Sequence, residues 1–264
     1  MNRLEGKVAI ITGSTGGIGQ VMAERFIREG AKVALGARSP EKAQALAERL
    51  GENAVPVRHD LTDDVTAQTA IAETVERFGR LDILVNNAIA GDARIHQLDT
   101  TVTEVPVDVW DETMSGNVRA AMLTCKFALP HMVAGGGGSI INIASGSGLA
   151  GDNVRVAYGT SKGALIAFTK YVAVQYGRQG VRANAIAPGL IMIEKLKGAD
   201  VLTNMIKRQV LTPRLGIPED VAALSAFLAA EESGYITGQV ICCDGGHLAH
   251  QPQYAEMMDL MAKA

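Results

Sequence analysis

The chain has 264 residues, of which 47% are hydrophobic and 20% charged, so it contains enough apolar material for one large folded domain. Its formal net charge of −3 provides no basic surface for nucleic acid or anionic membranes, and no long apolar run predicts a membrane span. Three cysteines without metal-site spacing, and an amino-terminal stretch unlike a signal peptide, lead us to expect a cytoplasmic protein with no metal centre.

Apolar runs alternate with helical patterns along most of the chain. In chain order, the patterns predict a strand at 7–12, a helix at 16–30, a strand at 31–37, a helix at 40–50, a strand at 53–60, a helix at 63–79, a strand at 81–88, a long helix at about 107–134, a glycine turn and strand at 135–145, a helix at 158–177, a strand at 180–188, a helix at 217–230 and a strand at 238–246. Strands that are apolar throughout and separated by helices favour a parallel sheet covered on both faces. We therefore expect one doubly wound α/β domain over residues 1–247, with a seven-stranded parallel sheet flanked by helices. Residues 248–264 form a tail that we place at the active site or at a subunit interface.

The first predicted strand leads into the glycine-rich segment TGSTGGIG, residues 12–19. Glycines between the first strand and the first helix of such a fold let the backbone approach a pyrophosphate at the helix N-terminus. Glycines also serve as plain turn residues, but their place in the first strand–helix unit favours a dinucleotide site. The turn thus predicts a Rossmann domain whose cofactor contacts include Gly13, Ser14, Thr15, Gly17, Ile18 and Gly19.

Tyr158 and Lys162 are four residues apart, which places them on one face of the predicted helix, one turn apart. Such pairs also occur by chance, but Ser145 ends the preceding predicted strand. A carbonyl that accepts a hydride becomes an alkoxide, which needs a proton donor and a hydrogen-bond donor. A nearby ammonium group stabilises a phenolate, so we expect Tyr158 to exchange the proton and Ser145 to orient the substrate oxygen.

Taken in order, these motifs resemble those of the short-chain dehydrogenase/reductase family over residues 6–247. The further matching segments are Asp60-Leu61, Asn86-Asn87-Ala88, Asn117, Pro188-Gly189 and Asp244-Gly245-Gly246. The resemblance implies a nicotinamide-dependent oxidoreductase acting on CH–OH groups. It implies that Lys162 bonds the nicotinamide ribose and that Asn117 interrupts the long helix and holds a water linking Lys162 to solvent. It adds as cofactor contacts Asp60, Leu61, Asn87, Ala88, Tyr158, Lys162, Pro188, Gly189 and Ile191.

The residues at the end of the second predicted strand indicate whether NAD(H) or NADP(H) is preferred. An acidic residue there accepts hydrogen bonds from the ribose hydroxyls of NAD(H), whereas an arginine pairs with the 2′-phosphate of NADP(H). The sequence has Ala37 followed by Arg38, which favours NADP(H). NAD(H) remains the alternative, because Arg38 could be a solvated loop charge and the glycine turn lacks a basic residue.

Two positions depart from the family pattern. Ile89 follows Asn86-Asn87-Ala88 where the family usually has glycine, and Ile193 stands where relatives commonly have a threonine that bonds the nicotinamide carboxamide. A β-branched residue is a poor choice where φ is positive, so the loop at Ile89 is expected to have a different shape.

The substrate-facing segments are expected at 89–105, 147–155 and 190–212. The last is apolar and contains methionines, which suits a hydrophobic ketone or secondary alcohol, although some of these residues could simply pack the segment onto the domain.

The spacing of Tyr158 and Lys162 argues against an enoyl reductase, because related enoyl reductases space the pair more widely. An NAD-dependent hydroxysteroid-like dehydrogenase and a non-catalytic nucleotide-binding sensor are the rival functions. By resemblance, we expect a homotetramer or homodimer that packs the helices at 107–134 and 158–177 against a neighbour.

Overall fold

The computed structural model describes residues 2–196 and 198–262, so the last two residues of the predicted tail lie outside the described residues. Seven parallel strands form one sheet in the order β3-β2-β1-β4-β5-β6-β7. The strands are β1 (Val8–Thr12), β2 (Lys32–Ala37), β3 (Ala54–Arg58), β4 (Ile83–Asn86), β5 (Gly138–Ile143), β6 (Val181–Pro188) and β7 (Val240–Cys243). The predicted α/β fold with a seven-stranded parallel sheet is confirmed.

Helices connect the strands and cover the sheet. The helices of the described residues are α1 (Gly17–Arg28), α2 (Pro40–Leu50), α3 (Asp64–Phe78), α4 (Ala93–Leu98), α5 (Val107–Met114), α6 (Ala120–Ala134), α7 (Val156–Tyr176), α8 (Asp200–Lys207), α9 (Pro218–Ala229) and α10 (Tyr254–Met261). The long predicted helix at 107–134 consists of α5 and α6, joined by a π-helical turn at Ser115–Arg119. The sequence patterns did not predict α4, α8 and α10, because helices of six or eight residues contain too few turns to show a period.

The two faces of the sheet have separate cores because side chains alternate along each strand. In β1, Ala9 and Ile11 pack toward α1, α2 and α9, whereas Ile10 packs toward α3, α6 and α7. Both faces are therefore buried, which explains why the strands are apolar throughout.

The strand order reverses between β1 and β4. β1 pairs with β2 on one side and with β4 on the other, so the connections leaving β1 and β3 run to opposite halves of the sheet. In open parallel sheets such a reversal leaves a crevice at the carboxyl ends of the strands. Within the described residues, no helix is both long and apolar enough to cross a membrane.

Candidate active site

A groove of about 780 Å³ lies at the carboxyl ends of the central strands. Predicted cofactor residues that line it are Gly13, Thr15, Ile18, Gly19, Arg38, Asp60, Leu61, Asn87, Ala88 and Ile191. Ser14 lies beneath the glycine turn instead, fully buried, with its Oγ donating to the carbonyl oxygen of Gly36 at 3.3 Å. The structure thus brings most of the predicted cofactor contacts to a single groove, from separate segments of the chain.

The glycine turn is packed so closely that side chains cannot replace Gly13 and Gly19. Gly13 has a φ of +64°, and a Cβ there would lie 2.9 Å from the Cα of Ala88. A Cβ on Gly19 would lie 2.2 Å from the carbonyl oxygen of Gly13. The residue before α1, Gly16, provides no side-chain cap, and the first turn of α1, which begins at Gly17, contains no acidic residue. The backbone N–H groups at this helix N-terminus are therefore available to an anion such as a pyrophosphate.

Thr12 and Asn87 join the glycine turn to the loop after β4. The Thr12 Oγ1 accepts from the backbone N–H groups of Asn87 and Ala88, both at 3.0 Å. The Asn87 Nδ2 donates to the carbonyl oxygens of Thr12 and Gly13, at 3.0 and 3.1 Å. These bonds fix the two walls of the groove relative to each other.

Pro188 and Gly189 lie where β6 ends beside β7. The N–H of Gly189 donates to the carbonyl oxygen of Cys243 at 3.1 Å, and a Cβ on Gly189 would lie 2.8 Å from the Cα of Asp244. The Asp244 Oδ1 in turn accepts from the N–H of Gly246 at 2.9 Å. This close approach explains the glycine at position 189, and it holds the start of the segment that leads to Ile191 in the groove.

The two departures from the family pattern are accommodated locally. The φ of Ile89 is not positive, because among the described residues Arg155 is the one non-glycine residue with a positive φ. The loop therefore takes a path that a β-branched residue can follow. The Cγ2 of Ile193 lies 3.8 Å from where a Cβ on Gly17 would stand, so this side chain adds apolar cover to the glycine turn. Both isoleucines line the cofactor groove.

The far end of the groove carries two cations beside the end of β2. Arg38 and Lys42 both line it and are exposed, whereas Ala37, the last residue of β2, is buried. The sequence interpretation missed Lys42, although its place in the first turn of α2, four residues after Arg38, is a readable signal. Asp60 also lines the groove: burial raises the pKa of its carboxyl, but hydrogen bonds from Thr62 and the nearby cations outweigh burial and hold that pKa below its usual range.

Asn117 lies in the π-helical turn between α5 and α6 and is almost fully buried. Its Oδ1 accepts from the backbone N–H of Ala90 at 2.8 Å, and its Nδ2 donates to the Oγ of Ser161 at 2.9 Å. Ser161 in turn donates to the carbonyl oxygen of Tyr158 at 2.7 Å. The Asn117 side chain therefore connects the loop after β4 to the helix that carries Tyr158 and Lys162.

Lys162 is buried at 2% exposure, and its Nζ donates to the carbonyl oxygen of Ile143 at 2.7 Å. Burial, together with the positive charge of Arg155, lowers the pKa of this lysine to about 7. The Nζ is 5.7 Å from the centre of the Tyr158 ring, and the Arg155 guanidinium is 4.0 Å from the same centre. The tyrosine ring therefore lies close to two basic side chains.

Ser145 directly precedes a single 3₁₀ turn, Gly146–Gly148, that packs against α7. Its Oγ accepts from the backbone N–H of Ser147 at 3.2 Å, so the hydroxyl proton can be donated to another group. The structure thus holds the predicted set of Asn117, Ser145, Tyr158 and Lys162 on adjoining elements, and Asn117 joins this set to the groove through its hydrogen bond with Ala90, which lines the groove.

Comparisons with known proteins agree with these motifs. A family model described as enoyl-(acyl carrier protein) reductase matches residues 13–247. The chain is 43% identical to a protein of Bradyrhizobium diazoefficiens named a probable short-chain type dehydrogenase/reductase, over 97% of this chain and 92% of the relative. It is 39% identical to a 7alpha-hydroxysteroid dehydrogenase of Bacteroides fragilis, over 96% of this chain and 98% of the relative.

The chain belongs to the short-chain dehydrogenase/reductase family. A 2-(R)-hydroxypropyl-CoM dehydrogenase of Xanthobacter autotrophicus is also similar, with 38% identity over 92% of this chain and 99% of the relative. Membership makes the protein an oxidoreductase acting on CH–OH groups with a nicotinamide cofactor, and the glycine cradle and uncapped α1 N-terminus fit such a cofactor. The predicted family and enzyme class are confirmed.

Proposed function

We propose that the protein transfers a hydride between NADP(H) and a hydrophobic ketone or secondary alcohol, with Tyr158 as the acid–base group. The observation that carries this proposal is the placement of the Tyr158 ring near the Nζ of Lys162, on a helix that packs against the segment beginning at Ser145. Burial of an ammonium group costs free energy, so a lysine buried beside a tyrosine is better explained by chemistry than by packing.

The reaction assigns a separate task to each side chain. The bound cofactor supplies the hydride to the carbonyl carbon. Ser145 donates a hydrogen bond to the carbonyl oxygen, and Tyr158 gives that oxygen its phenolic proton as the alkoxide forms. The ammonium form of Lys162 stabilises the phenolate left behind, which then regains a proton from solvent. Oxidation of the alcohol runs the same transfers in reverse, with the Tyr158 phenolate as base.

Tyr158→Phe tests this mechanism, because it removes the proton donor and keeps the ring. We expect kcat/KM to fall by about 10²–10⁴-fold in an assay that follows reduced cofactor with a panel of ketones. Cofactor binding, measured by fluorescence titration, should change little. Undiminished turnover in the variant would contradict the mechanism, and cofactor binding by the wild type without turnover of any substrate would favour the nucleotide-binding sensor.

Two cations support NADP(H) over NAD(H). Arg38 and Lys42 line the end of the groove next to β2, where both can pair with a 2′-phosphate, and neither Ala37 nor Arg38 offers a carboxylate to ribose hydroxyls. We expect Arg38→Ala and Lys42→Ala each to lower kcat/KM for NADPH by about 10-fold or more and to leave that for NADH nearly unchanged. Lys126→Ala, which removes an exposed lysine of α6, is the control. Equal losses with both cofactors would contradict the assignment.

The segment around α8 supports a hydrophobic substrate. It exposes Leu202, Met205 and Leu211, and Leu248 from the start of the tail is exposed as well. The relative named a hydroxysteroid dehydrogenase makes NAD-dependent oxidation of a steroid alcohol the second candidate function. The same assay with steroid alcohols and both cofactors distinguishes the two functions.

We place the protein in the cytoplasm and propose a homotetramer or homodimer.

A further inference from the structure

The helix that carries Tyr158 has an unusual N-terminus. Arg155 precedes α7 with a φ of +65°, and its side chain forms no capping hydrogen bond. The cap comes instead from Asp99, more than fifty residues earlier in the chain. The Asp99 Oδ1 accepts from the backbone N–H of Ala157, and its Oδ2 accepts from the backbone N–H of Tyr158, both at 2.9 Å.

The backbone of Asp99 takes part in the same contact. Its carbonyl oxygen accepts from the N–H of Arg155 at 3.0 Å, and the next carbonyl, that of Thr100, accepts from the N–H of Val156 at 3.4 Å. Four consecutive N–H groups at the start of α7 are therefore satisfied by residues 99 and 100. Asp99 is 3% exposed, so water cannot readily replace these bonds.

A carboxylate that accepts two backbone N–H groups restrains both the position and the rotation of a helical turn. Bonds to an ionised acceptor are stronger than neutral ones, and the helix dipole adds further attraction for a negative charge at this end. One of the two N–H groups belongs to Tyr158 itself, so the restraint acts on the backbone from which the phenol projects.

We propose that Asp99 is a positioning residue that holds Tyr158 at the place where its phenol meets the substrate oxygen. The inference rests on the proposed acid–base role of Tyr158. It also gives the segment after β4 two roles. Ile95 of α4 lines the cofactor groove, and Asp99, which directly follows α4, caps the helix that carries Tyr158. One short segment thus contacts both the groove and the tyrosine helix.

The test compares Asp99→Ala and Asp99→Asn with the wild type and with Asp63→Ala. Asp63 is the matched control, because it also caps a helix with its carboxylate, accepting from the N–H of Val65 at the start of α3. For each protein, kcat, the KM of the ketone, the dissociation constant of the reduced cofactor and the Tm are measured.

We expect Asp99→Ala to lower kcat by about 10- to 100-fold, because small displacements of a reacting group cost that much, with the cofactor dissociation constant within about twofold of wild type. Asp99→Asn keeps one acceptor oxygen and should recover part of kcat. Asp63→Ala should lower Tm and leave kcat unchanged.

A purely structural cap would give a different pattern. A kcat for Asp99→Ala equal to that of Asp63→Ala at a similar loss of Tm would overturn the proposal, as would a parallel loss of kcat and cofactor affinity. If Asp99→Ala does not fold, the same comparison is made with Asp99→Asn. The Tyr158→Phe assay separates the two proposals, since a large loss there with a wild-type kcat in both Asp99 variants rejects only the role of Asp99.

Discussion

At the scale of a single residue, the burial of the Lys162 ammonium group lowers the stability of the folded chain. A buried ammonium loses its hydration, and the hydrogen bond from the Lys162 Nζ to the carbonyl oxygen of Ile143 replaces only part of it. The guanidinium of Arg155 adds repulsion. The same two effects that lower the pKa of Lys162 therefore also destabilise the folded chain, which is the cost that the proposed role of Lys162 in the reaction would explain.

We expect Lys162→Met to abolish turnover and to raise the free energy of unfolding of the cofactor-free protein by about 1–3 kcal/mol at pH 7, because an apolar side chain of similar length removes the buried charge. The pKa of Lys162 is about 7 in the folded chain and near its ordinary value of 10.5 in the unfolded chain. Between these values the unfolded chain binds the extra proton, so wild-type stability rises with pH through this window. The advantage of the variant should therefore shrink from pH 7 to pH 9.

Denaturant unfolding at the two pH values measures this difference. Lys170→Met, which replaces an exposed lysine of the same helix, is the control and should change stability by less than about 0.5 kcal/mol. A lower stability of Lys162→Met at pH 7, or an advantage that grows toward pH 9, would contradict the stated cost of burial.

At the scale of elements, the close packing of the segment after β5 against α7 fixes the distance between Ser145 and the helix. Gly148 ends the 3₁₀ turn that follows Ser145, and a Cβ there would lie 2.7 Å from the carbonyl carbon of Lys162 and 2.8 Å from the N of Gly163. Backbone atoms of a helix cannot give way as a flexible side chain can. Gly148 is therefore required for this approach.

We expect Gly148→Ala to lower the free energy of unfolding by about 1–3 kcal/mol and to reduce kcat, because the added methyl group pushes the turn away from α7. Gly151→Ala is the matched control in the same segment, since a Cβ at Gly151 would meet nothing within 4 Å. Thermal unfolding and the ketone assay compare the two. Equal stability and activity of both variants would show that the segment adjusts freely.

Local sequence patterns predicted the main elements because each pattern and its structural cause lie in the same segment. The glycine turn, the apolar strands, the start of α2 at Pro40 and the end of α3 before Gly79 are of this kind. The capping of α7 could not be predicted, because its carboxylate comes from Asp99, far away in the chain, and the predicted helix therefore began two residues late. The π-helical turn at Ser115–Arg119 lies where the family resemblance implied an interruption at Asn117, although the local apolar pattern continues on both sides and gave no sign of it.

At the scale of the whole molecule, α7 has two faces with different tasks. Its inner face carries Tyr158 and Lys162, whereas Tyr171 and Val174 are 67% and 82% exposed on its outer face. Exposed apolar side chains on a long central helix are typical of a surface that packs against another chain. The proposed homotetramer or homodimer would bury this face and thereby stabilise the helix that carries Tyr158 and Lys162.

We expect Val174→Glu to lower the molar mass in solution to that of a smaller assembly, because an unpaired carboxylate at an apolar interface costs about 3–5 kcal/mol, or at least about 100-fold in the dissociation constant. Size-exclusion chromatography with light scattering measures the mass. Val65→Glu on α3, where the wild-type side chain is 66% exposed, is the matched control and should leave the assembly intact. A wild-type protein that is already a monomer, or a Val174→Glu variant with unchanged mass at micromolar concentration, would show that the outer face of α7 is a free surface. Tyr158 would then be held in place by contacts within one chain, chief among them the Asp99 cap.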